Sequence, residues 1–133
     1  MSPPIRLPLI EEEGLTLGPV EGVVGRVRFA GTGEAEGAAV LDRFLGLLHQ
    51  EALALELREV TIELEQLEFI NSSCLKAMVA WIYKVDTEGR PYKIRMLRDS
   101  SLHWQRTSLA TLQRLAPEVV VVQEKVVQGR VTG

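Results

Sequence analysis

The chain contains a single cysteine, Cys74, so it cannot form an internal disulfide bond. Proteins of reducing compartments seldom carry disulfides, and we therefore expect a cytoplasmic location. No segment approaches the about 20 consecutive apolar residues that a membrane-spanning helix requires. The N-terminal segment also lacks the apolar core of a signal peptide. Membrane insertion is therefore not expected.

Basic residues are not in excess either. Fifteen Lys and Arg stand against 18 Asp and Glu, and the formal net charge is −3. Because nucleic-acid binding requires a basic surface, nucleic acid is not expected as the main partner. We find no metal-ligand cluster, no convincing pair of catalytic carboxylates and no lysine at Walker spacing after Gly31-Thr32-Gly33. The chain is therefore expected to use no cofactor or metal and not to be an enzyme.

The composition is that of an ordinary globular protein. Hydrophobic residues make up 46% of the chain and charged residues 25%, values that are typical of soluble domains. At 133 residues the simplest interpretation is a single domain. Hydrophobic patterning places this domain at residues 15–124, between a flexible N-terminal arm at 1–14 and a C-terminal tail at 125–133.

Two kinds of hydrophobic period follow one another along this domain. Alternation predicts strands near residues 15–20, 23–29, 60–70, 92–96 and 119–122. Three- and four-residue spacing predicts helices near residues 34–55, 73–86 and 100–116. This order predicts an α/β fold with a mixed, mostly parallel sheet of about five strands. Because three of the strands alternate with charged residues, the helices are expected mainly on one face of the sheet.

The most informative segment joins the third predicted strand to a helix, and its sequence is Phe69-Ile70-Asn71-Ser72-Ser73-Cys74-Leu75. Hydroxyl groups at such a junction lie near free backbone N–H groups and the positive end of the helix dipole. Negative charge is favourable there, so the junction suits an attached or bound phosphate. The structural alternative is that a serine caps the helix, which stabilises it by about 1 kcal/mol. The two interpretations are compatible, because one serine can cap while the other is exposed.

This segment resembles the motif of STAS domains, the fold of bacterial anti-sigma-factor antagonists. In that family an apolar residue ends a strand, Asp-Ser-Ser-Gly follows, and a helix begins with leucine. The corresponding positions here are Ile70, Asn71, Ser72, Ser73, Cys74 and Leu75. The order of elements from about residue 23 to 123 also agrees. The segment at 102–109, LHWQRTSL, is similar to a divergent bacterial group of STAS-like regulators.

The resemblance implies a regulatory switch rather than an enzyme. Family members dock to an anti-sigma-type serine kinase, which phosphorylates the second serine of the motif, Ser73 here. A phosphatase reverses the modification, and the phosphorylated form usually loses affinity for the kinase. A protein partner of this kind, or another regulator, is thus implied, with Asn71, Ser72 and Cys74 shaping the docking turn. A phosphate adds roughly −1.5 to −2 charge, which a partner packed on the turn would have to desolvate.

Two positions depart from the family pattern. Asn71 replaces aspartate and removes a charge beside the acceptor, while Cys74 replaces glycine and adds a side chain. A constitutive interaction module without phosphorylation is therefore an alternative, as is a nucleotide or small-ligand sensor that uses the helix N-terminus. A thiol at a helix start can be reactive. The apolar neighbours Met78 and Trp81 on the same helix instead favour burial of Cys74.

Two further residues complete the predicted interaction surface. Lys76 lies on the outer side of the helix after the serines and would border a partner docked at Ser73. A solvated helix face is the simpler interpretation of this lysine. Trp104 falls about 160° from Leu102 on an ideal helix, away from the apolar stripe. It is either an exposed contact for a partner or a second copy, or a residue that the tail covers. The sequence allows a dimer but does not establish the oligomeric state.

Overall fold

Alternating strands and helices follow the predicted order in residues 7–99 and 101–124, the part of the chain that the computed structural model describes. The strands are β1 (Ile10–Glu12), β2 (Leu15–Pro19), β3 (Arg26–Gly33), β4 (Glu59–Ile70), β5 (Lys93–Arg98) and β6 (Val120–Glu124). The helices are α1 (Gly37–Ala54), α2 (Ser72–Thr87) and α3 (His103–Leu115). Each predicted strand and helix therefore has its counterpart, with boundaries that differ by a few residues.

The strands lie in the sheet in the same order as in the chain. β1, β2 and β3 pair antiparallel, whereas β3, β4, β5 and β6 form parallel pairs, each joined by one helix. α1 packs against α2, and α2 contacts α3, so the helices of the described chain share one face of the sheet. The predicted mixed, mostly parallel sheet is confirmed.

The core lies between this face and the helices. Alternate residues of β3 and β4, such as Val27, Phe29 and Ile62, are fully buried against the helices. The ring of Phe29 meets that of Phe44 on α1 edge to face, with centroids 5.7 Å apart. Burial of one such large side chain stabilises the fold by about 1.5–3 kcal/mol. The same alternation turns the polar residues of these strands to the opposite face.

Cross-strand ion pairs hold that opposite, open face together. Arg26 and Arg28 of β3 donate to the two carboxylate oxygens of Glu63 on β4, at 2.5 and 2.9 Å. Glu63 is only 3% exposed, because the two arginine side chains cover it. Arg95 of β5 donates to both carboxylate oxygens of Glu59 on β4. Charge-assisted hydrogen bonds of this kind are roughly twice as strong as neutral ones.

β1 is the strand that the sequence pattern does not predict. It pairs antiparallel with β2 and lies within the residues assigned to the N-terminal arm. Three residues are too few to show alternation, although Ile10 is buried and Glu11 is exposed. Arg43 of α1 also pairs with Glu12 at 2.5 Å, so this segment contacts the helical layer. Residues 1–6 of the arm and the tail at 125–133 lie outside the described residues.

The segment Gly31-Thr32-Gly33 forms the end of strand β3. Gly31 has a φ of 95°, and the register with β4 shifts between Gly31 and Thr32. A Cβ atom at Gly31 would collide with the carbonyl oxygen of Gly14. Glycine is therefore required at position 31, because the β1–β2 turn approaches β3 closely there and the backbone has a positive φ.

A buried polar cluster joins α1, α2 and the segment before β5. Trp81 Nε1 donates to the Tyr92 hydroxyl at 2.9 Å, and this hydroxyl lies 2.6 Å from His49 Nδ1. His49 Nε2 lies 3.0 Å from the Glu88 carboxylate. Every polar group of the cluster has a partner if Trp81 donates to Tyr92, Tyr92 donates to His49, and His49 donates to Glu88. Burial raises the pKa of Tyr92, and the nearby charge of Glu88 raises it further. The hydrogen bond from Trp81 lowers this pKa, but by less, so the hydroxyl keeps its proton.

Removal of this hydroxyl is expected to destabilise the fold. Tyr92→Phe leaves Trp81 and His49 without their shared partner, and we expect the free energy of unfolding to fall by about 1–3 kcal/mol. Urea denaturation measures the change. Tyr83→Phe is the matched control. Because Tyr83 is 63% exposed, this variant should show no measurable fall in the free energy of unfolding. Equal losses in the two variants would contradict the role of the cluster.

Candidate functional site

The predicted junction forms a short turn between β4 and α2, here named the serine turn and defined as Asn71–Cys74. The backbone N–H of Asn71 donates to the carbonyl oxygen of Gly33 at 2.8 Å, so the turn is tied to the end of β3. The carboxyl ends of parallel strands meet at one edge of the sheet, which is the usual place for binding sites in open α/β sheets. The serine turn therefore lies where this fold class commonly carries function.

Asn71, rather than a serine, caps α2. Its backbone is extended, with φ −84° and ψ 178°, and its side-chain oxygen accepts from the Cys74 N–H at 3.0 Å. Ser72 and Ser73 are the first two residues of the helix, and both are exposed. The expectation that a serine makes the cap is thus corrected, since an asparagine in extended conformation already occupies the preferred capping position. The serine hydroxyls are left available to solvent.

Cys74 points into the protein from this turn. It is fully buried, and its Sγ atom donates to the carbonyl oxygen of Glu34 at 3.4 Å. Burial raises the pKa of the thiol, and the opposing hydrogen bond from the backbone at Asn71 does not offset it. Burial of Cys74 is confirmed, and the environment disfavours a thiolate. The residue can therefore influence docking only through the shape of the turn.

Two glycines provide the space that the Cys74 side chain occupies. A Cβ atom at Gly33 would lie 2.9 Å from the sulfur, and one at Gly37 would lie 3.6 Å from it. The distance from Gly33 is shorter than real Cβ atoms show, whereas the distance from Gly37 is an ordinary van der Waals contact. The replacement of the family glycine by Cys74 is therefore accommodated chiefly by Gly33, which faces it across the turn.

Phe69 is an exposed aromatic residue beside the turn that the sequence pattern does not reveal. Its side chain is 46% exposed, whereas Leu67 and Ile70 are buried. A regular strand cannot turn residues three apart to the same face. The register shift opposite Gly31 and Thr32 places an extra residue, Glu68, in β4 and leaves Phe69 facing outward. The three-residue spacing of the two buried neighbours is the signal that could have shown this.

Acidic residues occupy the chain segments that lead to the serine turn and to α1 beside it. Glu34 and Glu36 precede α1 beside Cys74, Glu68 precedes Phe69, and all three glutamates are exposed. Within the described part of the chain none of the three takes part in an ion pair. Lys76 is exposed on the next turn of α2. The site thus combines an apolar side chain with mainly negative charge.

Trp104 is half-buried and supports β4. Its Nε1 atom donates to the carbonyl oxygen of Leu67 at 3.1 Å. The fully buried Gln105 donates to the carbonyl oxygens of Leu64 and Leu67, at 2.6 and 3.1 Å. β4 extends beyond Glu63, its last pair with β5, so α3 satisfies these carbonyl groups. Trp104 therefore has a structural role here, and the alternative that the tail covers it falls on residues outside the described ones.

The beginning of α3 also differs from the prediction. The helix begins at His103 rather than near residue 100, and Leu102 takes the N-cap position without a side-chain hydrogen bond. Asp99 instead accepts from the backbone N–H and the hydroxyl of Ser101, at 2.9 and 2.7 Å. These bonds form a local turn before the helix. Ser100 is not among the described residues.

Neither a metal-ligand group nor a membrane-spanning helix is found in the described part of the chain. Within residues 7–99 and 101–124 no three His, Cys, Asp or Glu side chains are grouped as metal ligands. The helices of the described chain are too short or too polar to cross a membrane.

Comparison with known proteins shows the fold. No protein-family model matches the chain, and no curated protein matches it. The solved structure of the diguanylate cyclase SiaD in complex with its activator SiaC, from Pseudomonas aeruginosa, contains a similar chain, SiaC. The TM-score is 0.64 at 14% identity, over 86% of this chain and 95% of SiaC. At this identity the similarity concerns the fold alone, and it confirms the predicted STAS-like fold.

Removal of the Asn71 side chain is expected to weaken α2. Asn71→Ala should lower the free energy of unfolding by about 1 kcal/mol, because the Cys74 N–H loses its acceptor. Asn71→Asp should retain the cap, since a carboxylate is favourable at a helix N-terminus. Ser72→Ala and Ser73→Ala serve as matched controls and should have little effect in urea denaturation. A cost for Ser73→Ala equal to that for Asn71→Ala would show that a serine shares the cap.

The contact between Gly33 and Cys74 is testable by a double-mutant cycle. Gly33→Ala should destabilise the protein by about 1–3 kcal/mol, because the new Cβ atom overpacks the site. In a Cys74→Gly background the cost should be smaller, and Ile70, 3.1 Å from that Cβ atom, should account for the remainder. Gly46→Ala is the control, since nothing lies within 4 Å of its Cβ position. Equal costs of Gly33→Ala in the two backgrounds would refute the contact.

Proposed function

We propose that this chain is a bacterial, cytoplasmic regulator that docks to a protein partner through the serine turn, as anti-sigma-factor antagonists do, and is not an enzyme. Ser73 is its phosphoacceptor, and phosphorylation releases the partner. The observation that carries this proposal is the exposure of Ser72 and Ser73 on a helix whose cap Asn71 makes. Within residues 7–99 and 101–124 no hydrogen bond uses the serine hydroxyls, so we infer that they are available to a kinase.

The position of Ser73 suits a reversible charge. As the second residue of α2 it lies near the positive end of the helix dipole, where a negative charge stabilises a helix by about 0.3–1 kcal/mol. The phosphorylated chain is therefore expected to stay folded. A partner seated on the turn would instead have to remove water from a group of roughly −1.5 to −2 charge. Phosphorylation thus weakens docking without unfolding the docking module.

The surroundings of the turn indicate what the partner offers. Phe69 is the apolar contact, and Glu34, Glu36 and Glu68 provide negative charge around it. Aromatic residues commonly carry much of the binding energy at protein interfaces, and complementary charge promotes association. The partner surface should therefore combine an apolar pocket with Lys or Arg. SiaC activates a diguanylate cyclase, and an enzyme that this chain regulates is a candidate besides a serine kinase or phosphatase.

Constitutive docking without phosphorylation is the second candidate. Asn71 stands where the family has aspartate, and a kinase that reads that carboxylate would not recognise this turn. Glu34 and Glu36 also place like charge beside a phosphate on Ser73, which opposes its addition. An anion sensor receives less support, because Asn71 already occupies the Cys74 N–H.

Phosphate mapping tests the switch. The protein is incubated with ATP and a bacterial lysate, and modified residues are identified by mass spectrometry. We expect phosphate on Ser73, retained in Ser72→Ala and lost in Ser73→Ala. Phosphate on Ser72 alone would preserve the switch but contradict the assignment to Ser73. Complete absence of phosphate, with docking intact, would favour the constitutive module.

Affinity for a purified partner, captured with the wild-type chain, tests the docking surface. Ser73→Asp and Phe69→Ser should each weaken binding at least tenfold in isothermal titration calorimetry. A tenfold change corresponds to about 1.4 kcal/mol. Tyr83→Ser is the control, since this exposed aromatic residue lies on the outer side of α2, away from the serine turn. A partner that binds all four proteins alike docks elsewhere, and the proposed surface would then be rejected.

A further inference from the structure

A cavity lies at the end of the sheet opposite the serine turn, where β3 begins. We propose that this cavity, named here the basal pocket, binds a small organic cation with an apolar body, such as an alkylammonium ion. Its volume is about 730 Å³, within the range of small-molecule sites. Its apolar lining is formed by Leu7, Val20, Val23, Val24, Leu55 and Leu57. This inference is independent of the proposed docking function.

The lip of the basal pocket is a preformed loop. The Val20 N–H donates to the carbonyl oxygen of Arg26 at 2.8 Å, which closes the loop between β2 and β3. The Thr61 N–H donates to the carbonyl oxygen of Gly25 at 2.8 Å and ties the loop to β4. A site that is formed before its ligand arrives loses little conformational entropy on binding.

The same loop exposes apolar side chains that a ligand would cover. Val23 is 48% exposed and Val24 is 73% exposed. Leu55 and Leu57, after α1, line the pocket with them and are half-buried. Removal of apolar surface from water contributes about 25 cal/mol of favourable free energy per Å². A ligand with an alkyl or aryl body gains binding free energy by covering this surface, whereas a fully polar ligand does not.

The polar groups of the basal pocket select a cation. Glu21 and Glu51 are its carboxylates, and neither forms an ion pair within the described chain. The third charged group, Arg26, already donates to Glu63 on the open face. Burial raises the pKa of Glu51, and a hydrogen bond with the backbone of Leu7 opposes the rise. Because Glu51 is partly removed from water, a cationic group beside it restores favourable charge interactions.

Titration of the full chain with hexylammonium, hexanol and hexanoate tests this proposal. Amide shifts in ¹H–¹⁵N spectra should map to Val23, Val24 and Leu55. Hexylammonium should bind at least five times more tightly than hexanoate, with hexanol between them. Glu51→Gln should weaken hexylammonium binding at least fivefold and leave hexanol unchanged. Glu118→Gln, an exposed charge change outside the pocket, should alter none of the three.

Three results would overturn the proposal. The first is the absence of shifts at these amides with hexylammonium. The second is equal binding of hexylammonium and hexanoate, which would exclude charge selection. The third is the same pattern of shifts on raising the protein concentration alone, which would assign the basal pocket to a second copy of the chain. Val24→Ser provides a further check, because this exposed substitution should weaken all ligands while the protein stays folded.

Discussion

The parallel pairing of β4 with β3 and β5 is the constraint on which the rest of the structure depends. β4 has 12 residues and β5 has six, so β4 extends beyond its neighbour. A projecting strand needs other partners for its carbonyl groups, since unpaired buried carbonyls are costly. Trp104 and Gln105 of α3 supply them on one side, and β3 does so on the other. The positions of α3 and of the serine turn both follow from the length of this strand.

Local sequence periods were sufficient for elements that bury one face over several residues. α1 and the first half of β4 illustrate this, because each repeats its buried positions often enough to show its period. β1 is too short for alternation to appear, and the requirement for glycine at position 31 depends on the approach of Gly14, which is distant in sequence. In α2 the buried positions are Cys74, Met78, Trp81, Ile82 and Val85. Leu75 and Val79 lie beside this buried stripe and are only partly buried, because α1 packs against the neighbouring face of α2.

The place of the candidate site was predictable, whereas its internal arrangement was not. A strand that runs into polar helix-starting residues marks the turn in the sequence. Which side chain caps the helix depends on backbone angles, and these angles favour Asn71. The outward position of Phe69 depends on a register shift with β3, and the burial of Cys74 depends on Gly33. Each of these features arises from contact between segments that are far apart in the chain.

The cap at Asn71 separates the requirements of folding from those of the proposed phosphorylation switch. Since the helix takes its stabilising bond from Asn71, natural selection for a stable fold does not act on the hydroxyl groups of Ser72 and Ser73. Random substitution should therefore remove them from descendants of this sequence unless something other than folding preserves them. Retention of a hydroxyl at Ser73 across an evolving lineage would then measure selection on the proposed switch rather than on the fold.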